Sequence, residues 1–430
     1  MDTMSLEQNP LLSDVVLARP EDLATTRCPT VALHLLVKNG ESCVARLLDN
    51  VGPYIHEVVA VINDTTDRTV EVLQRKCKQY DLAFSFHTVT SESHPGFYIL
   101  DIPETYQKGR PLAGEVYEGP FTNRPLLAKW AEARNLGWNR CTSEWRLFLD
   151  ADDIVEDPES IPGLCLALEE RGIELATSRY QYATSRSGQS HSDAFRERLA
   201  RNIPAIQWHG AIHEVLKGQA TTAHIEGNLR VIDRGDSLGT GIRLPGRNFK
   251  ILYHECREKN WNVSPRTLIY LAQECRRSMP GLASAALDRY LASSDWREER
   301  AWACVMQGEI CEGKPDYEGS AVWYRRALTE HPGCKSAFRL CHSMFQLGQW
   351  QGAIDAYQVG VANKAILQAL DSGAVFEGAS KILVAAAHRK LGRVGEALKF
   401  CNDALEAFPD NQALVQLQGD LIRDMRRGLQ

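Results

Sequence analysis

The 430-residue chain has no Cys-x-x-Cys among its twelve cysteines, so neither a zinc knuckle nor a redox pair is encoded. No apolar run approaches the length of a membrane span. The N-terminus carries acids and Pro10 where a secretory leader needs a basic start and an apolar centre. A large charge excess is missing too. The 49 Lys and Arg against 55 Asp and Glu leave −6, which gives no electrostatic reason to bind a polyanion, although it does not describe local grooves. What remains is the composition of a soluble globular protein, 44% hydrophobic and long enough for two or three domains. Cys304/Cys311 and Cys334/Cys341 are each seven apart, one face of a helix, and read as small buried residues of a reduced, cytoplasmic protein.

The stretch from Trp145 to Asp153 organises the rest. Leu147, Phe148 and Leu149 lead straight into Asp150, Asp152 and Asp153. A short buried run ending in charge reads as a central strand delivering carboxylates to a sheet edge, where open α/β sheets bind ligands. Two carboxylates one residue apart can share a hard divalent cation that also holds substrate phosphates. The bland alternative is a strand followed by an acidic turn.

Residues 1–29 read as an irregular lead-in. Strand patterns at 30–37, 58–62 and 83–89 alternate with helical spacing at 43–51 and from Val70, which predicts a β-α-β-α-β unit and a parallel sheet wound right-handedly. Residues 91–127, rich in Pro and Gly with Phe97, Tyr98, Tyr106, Tyr117 and Phe121, read as a lid or acceptor-side loop. A helix is expected from Leu126 to Trp138, with Trp130, Arg134 and Trp138 on one face. There Arg134 either pairs with an acid or, like Asn135, is aimed at a phosphate. A helix to about Gly172 and a strand near 174–182 precede a polar loop at 183–193. Trp208, His209, Gly210, His213 and Glu214 then crowd into seven residues, which favours a site over surface decoration.

From Arg247 the pattern is helical and periodic. Ser320, Tyr324, Ala327 and Pro332 share offsets with Ala397, Cys401, Ala404 and Pro409; Ala353, Tyr357 and Gly360 echo them, and Ala286 and Tyr290 more faintly. The steps are near a tetratricopeptide unit, apart from an insertion around 364–378. Small residues let paired helices approach, and stacked hairpins bury a core only together.

In order, these pieces resemble a family 2 glycosyltransferase of GT-A fold followed by a tetratricopeptide-like helical domain. The resemblance rests on Val37-Lys38-Asn39, Asp67-Arg68-Thr69, Ala133-Arg134-Asn135, Leu147 to Asp153, Ile212-His213-Glu214 and Pro265 to Gln273. It implies an α/β GT-A domain over 30–245, Rossmann-like, and an all-α repeat domain over 246–430. It further implies sugar transfer from a nucleotide-sugar, with inversion, dependent on Mn²⁺ or Mg²⁺. Val37, Lys38, Asn39, Asn63, Asp64 and Asp67 would cradle base and ribose. Asp150 and Asp152 would be the Asp-x-Asp pair holding the diphosphate, with Arg134 nearby to offset the charge of the departing group. Glu214 is the first choice for the base that deprotonates the acceptor hydroxyl, Asp153 the second and Asp233 the third. His213 is a further metal ligand or an acceptor contact.

The sequence departs from the family in two places. Ile62-Asn63 stands where an Asp commonly follows the second strand, which leaves the nucleobase open. Asp233-Arg234-Gly235 stands where relatives often carry a His, so Asp233 could supply an oxygen ligand. The acceptor is a glycan, a protein side chain or a hydroxymethylated base of nucleic acid, with a protein partner possible on the repeats. Two other functions compete: an inactive interaction protein with a relic nucleotide-binding domain, and a nucleotidyltransferase, against which the absence of an early Gly-rich triphosphate loop counts.

Overall fold

The structure, a computed structural model, describes residues 11–12, 27–99, 126–181, 193–225, 227–234, 246–364 and 374–428. Most of the expected lid, including Tyr106, Tyr117 and Phe121, lies outside these, as do most of the lead-in, the polar loop at 183–192, Gly235 and residues 365–373 of the insertion. The chain forms two compact units that meet in sequence at Glu258 and Lys259.

The first unit contains, in order, β1 (Leu11–Leu12), β2 (Val31–Val37), α1 (Val44–Val51), β3 (Glu57–Asn63), α2 (Thr69–Gln79), β4 (Ala83–Val89), β5 (Tyr98–Ile99) and β6 (Leu126–Leu127). It continues through α3 (Trp130–Trp138), β7 (Trp145–Phe148), β8 (Asp153–Val155), α4 (Ile161–Glu170), β9 (Leu175–Gln181) and β10 (Asp193–Arg201). The short strands β11 (Gln207–His209), β12 (Val215–Lys217), β13 (Thr222–Ile225) and β14 (Val231–Asp233) precede α5 (Arg247–Glu258).

Strands β2 and β3 are buried along their whole length, which is why both read as near-continuous apolar runs. Helix α1 closes over them with Val44, Leu47, Leu48 and Val51, a single stripe at helical spacing. The main sheet runs β1-β13-β9-β10-β7-β2-β3-β4. Strands β7, β2, β3 and β4 are mutually parallel, so their carboxyl ends share one edge.

A wholly parallel sheet does not form. Strand β10 runs antiparallel to both β7 and β9, and β14 antiparallel to β8, giving a mixed sheet. The polar string Glu197, Arg198 and Arg201 hid β10, because a buried Arg198 is tolerable only with partners assembled from elsewhere. Two smaller corrections concern ends. Leu11–Leu12 in the lead-in pair with β13, and Leu126–Leu127 pair with β5, so the helix expected from Leu126 begins at Trp130.

The second unit is built of helices α6 (Pro265–Cys275), α7 (Pro280–Ser293), α8 (Arg297–Glu312), α9 (Tyr317–Glu330), α10 (Cys334–Gln346), α11 (Trp350–Ala362), α12 (Ala374–Lys390), α13 (Val394–Ala407) and α14 (Gln412–Gly428). Successive pairs pack as hairpins, with α14 against α13. The periodic residues on α7, α9, α11 and α13 are all buried, as their spacing predicts. Close approach is literal. A Cβ on Gly308 would come within 2.4 Å of the Tyr324 ring, and one on Gly360 within 2.4 Å of the Phe338 ring. Among the described residues no helix is long and apolar enough to cross a membrane.

Candidate functional site

The carboxyl ends of β2, β3 and β7 carry the predicted residues on three neighbouring loops. After β2, Lys38 Nζ lies 3.0 Å from Asp64 Oδ2, and Asn39 Oδ1 accepts from the Thr66 amide at 2.8 Å. Returning bonds run from the Gly40 amide to Thr69 Oγ1 at 2.8 Å and from the Glu41 amide to Asp67 Oδ2 at 3.0 Å. Thr69 also bonds Asp67 through both its amide and its hydroxyl. Asn39, Asp67 and Thr69 are thus spent stitching the β2 and β3 loops together. Asn39 and Asp64 sit at positive φ, +50° and +44°, a region that their residue types tolerate best after glycine. Gly40 is crowded by its own neighbours: a Cβ there would lie 2.6 Å from the Val37 side chain and 3.1 Å from that of Val44. Asn63 is buried, with Oδ1 accepting from the Tyr98 hydroxyl at 2.6 Å.

The acidic turn is closed from below. The Asp150 amide donates to Asp153 Oδ2 at 2.8 Å, and the Asp153 amide to the Asp150 carbonyl at 3.1 Å. Asp153 has no exposed surface; its other oxygen accepts from the Tyr180 hydroxyl at 3.0 Å, and Arg198 stands 3.8 Å away. Burial pushes its carboxyl up to about 8, against the pull of Arg198. It therefore supports the turn from beneath and is out of reach of an acceptor in solvent. Asp150, by contrast, keeps 39% of its side chain exposed, and Asp152 is buried next to it. Strand β14 sets Asp233 directly opposite Asp153, and the Arg234 amide donates to the Asp152 carbonyl at 3.3 Å.

His213 and Glu214 occupy the turn of the β11–β12 hairpin, with Gly210 at φ +106° and His213 at φ +54°. Helix α3 holds this hairpin by its backbone. The Asn135 side chain donates to the Trp208 carbonyl at 3.0 Å and accepts from the Trp208 amide at 2.9 Å, while the Trp130 amide donates to the Ala211 carbonyl at 3.2 Å. Asn135 is therefore a brace rather than a phosphate ligand.

One turn along α3 from Trp130, Arg134 is 5% exposed. Its Nε donates to Glu214 Oε1 at 2.6 Å, and Nη2 lies 3.4 Å from Asp150 Oδ1. The Phe148 and Trp208 rings lie 4.3 and 5.2 Å from its guanidinium. Burial works against its charge, and Glu214 and Asp150 more than offset that. The pairing with an acid is what the structure shows. Tyr98, Tyr180, Arg198 and Phe148 support the site, and nothing local in the sequence marks them for that role.

For a divalent cation, Asp150 and Asp152 supply two oxygen donors, with Asp233 on the adjoining strand. Among the described residues no cluster of three or more His, Cys, Asp or Glu is arranged to hold an ion by itself. A pair of carboxylates still suits Mg²⁺ or Mn²⁺ that takes its remaining oxygens from phosphate and water.

Comparison with protein families and with characterised proteins finds no match by sequence. Among solved structures, MamA from Desulfovibrio magneticus RS-1 is 15% identical, with TM-score 0.32, over 38% of this chain and 85% of its own. The Arabidopsis OM64 TPR domain is 15% identical at TM-score 0.25, over 29% of this chain and 96% of its own. The first TPR domain of human RPAP3 is 15% identical at 0.26, over 30% and 95%. At these scores the likenesses carry no argument, and the helical architecture stands on the packing described above.

Proposed function

We propose that the chain is a metal-dependent, inverting glycosyltransferase of GT-A type that moves a sugar from a nucleotide-sugar to an acceptor hydroxyl. The observation that carries the reading is the meeting of Arg134, Asp150 and Glu214 from three separated segments, at the edge where parallel strands end, with Asp152 next to Asp150 in the same turn. That edge is where open α/β sheets take ligands. Asp150 and Asp152 are the residues that would hold Mn²⁺ or Mg²⁺, and the ion would supply charge for the departing nucleoside diphosphate.

The chain's own residues do the rest. The stitched loops after β2 and β3 form a rigid floor for the nucleoside, so little ordering is left to the binding step. Glu214 is the base that takes the acceptor proton, aimed by its bond to Arg134. Arg134 is engaged with two carboxylates, and it fixes Glu214 and Asp150 relative to each other. Asp233 is the reserve base. The helical unit would present the acceptor or a protein partner, since stacked hairpins offer an extended surface.

Two substitutions separate the roles. Asp152→Ala is expected to abolish transfer and donor hydrolysis with the fold intact, read by circular dichroism. Glu214→Gln is expected to keep donor binding and lose transfer. Full metal-supported activity in Asp152→Ala would remove the metal assignment, and normal transfer in Glu214→Gln would move the base to Asp233.

A further inference from the structure

Strand β4 and the turn after it carry two histidines that play no part in the site above. His87 Nε2 and His94 Nε2 face each other at 3.5 Å, their rings edge to face with centroids 5.3 Å apart. That separation is long for an N–H···N hydrogen bond, which prefers about 2.7–3.2 Å between heavy atoms. It suits a shared ion better. Two imidazole nitrogens at about 2.0–2.1 Å from a tetrahedral centre stand roughly 3.3–3.4 Å apart. An octahedral hard ion would need adjacent ligands at about 3.0 Å.

We propose that His87 and His94 form a binding site for a tetrahedral divalent cation of the zinc class, one that ties the end of β4 to the segment leading to Tyr98. The ligands are set before the ion arrives. The Thr90 amide bonds Ser93 Oγ at 3.0 Å, the Ser93 amide bonds Thr90 Oγ1 at 3.0 Å, and the His94 amide bonds the Thr90 carbonyl at 2.9 Å. His94 Nδ1 lies 2.8 Å from Ser93 Oγ, the kind of outer contact that fixes the orientation and tautomer of a ligating imidazole. The His94 ring also leans on Phe97 at 5.2 Å between centroids.

Desolvation, then Arg140, then His94 hold His87 below the usual imidazole range, so its lone pair is available at neutral pH. Arg140, whose charge opposes a cation there, is exposed and screened by salt. Two protein ligands leave two positions for water or an anion, so the site is open and weaker than a four-ligand structural centre. The segment so tied leads to Tyr98, which donates to Asn63 at the end of β3.

The test is calorimetric titration of Zn²⁺ into the metal-stripped full chain near pH 7.5. Wild type, Asp152→Ala, and His87→Ala and His94→Ala each made in the Asp152→Ala background are compared, with circular dichroism confirming that each is folded. With the acidic turn removed as an ion site, Asp152→Ala is expected to bind one zinc, and both histidine substitutions in that background are expected to lose it. Absence of binding to wild type overturns the proposal, as does binding retained by either histidine variant. Loss in Asp152→Ala alone also overturns it, and would move the ion to the acidic turn. None of these outcomes depends on the glycosyltransferase reading.

Discussion

Replacing Arg134 by Met tests how the site is held together. Arg134 is 5% exposed and its main partner, Glu214, keeps only 10% of its side chain exposed, so the substitution leaves a nearly buried carboxylate without its cation. Breaking such a pair from one side costs about 3–5 kcal/mol. Loss of the cation above Phe148 and Trp208 adds about 0.5–2 kcal/mol, part of which the Met side chain recovers by packing. Asp150 adds little, because it is more than a third exposed and its contact is 3.4 Å. A loss of about 3–6 kcal/mol follows. Native-state hydrogen exchange on the amides of α3 and β7 reads it locally, without assuming that both units unfold together. An increase of roughly 150-fold or more in exchange corresponds to about 3 kcal/mol. The double variant Arg134→Met/Glu214→Gln removes the stranded charge, so it should be less damaged than the sum of the single variants by about 1–3 kcal/mol. Exchange raised less than about fivefold, with additive single effects, would refute the claim that this pair organises the site.

The remaining predictions follow from burial and close contact. Asp153 is held up near 8 chiefly by burial, so between its ordinary value of 3.8 and 8 the folded chain keeps a proton that the unfolded chain has lost. Stability should therefore fall as pH rises through that window, by at most about 1.4 kcal/mol per unit from this group, and Asp153→Asn should flatten the fall in urea midpoints taken at pH 5 and pH 8. In the helical unit, Gly308→Ala would drive a Cβ to 2.4 Å from the buried Tyr324 ring and should cost about 1–3 kcal/mol in thermal or urea unfolding. Gly395→Ala on α13 meets nothing within 4 Å and should stabilise by up to about 1 kcal/mol.

How much was legible follows the physics of each element. Strands β2 and β3 and helix α1 could be read directly, because a strand buried on both faces and an apolar stripe leave unambiguous patterns. The repeat residues of the helical unit were equally plain, since each must be small or aromatic to fill a fixed gap between helices. Strand β10 was not legible. Its buried Arg198 looks like surface until Asp153, Tyr180 and Phe148 are in place around it, and those come from three other segments. The same limit applies at the site. Local sequence singles out Asp150, Asp152 and Glu214 as chemically suited and offers an acid as Arg134's partner, but it does not say which acids those are, nor that Asp153 is buried below the turn. The family resemblance makes Asn39 and Asp67 ligand contacts, and the structure employs them in joining two loops, a role that only their long-range partners disclose.

The central claim is tested most directly by thermal shift of the full chain with a panel of nucleoside diphosphates and nucleotide-sugars, each with and without Mn²⁺. A ligand that binds only the folded chain raises the melting temperature by mass action. The account predicts a rise with one nucleotide class that requires Mn²⁺ and disappears in Asp152→Ala. No rise with any nucleotide, in a folded wild-type chain saturated with Mn²⁺, would contradict it and favour an interaction protein carried by the helical repeats.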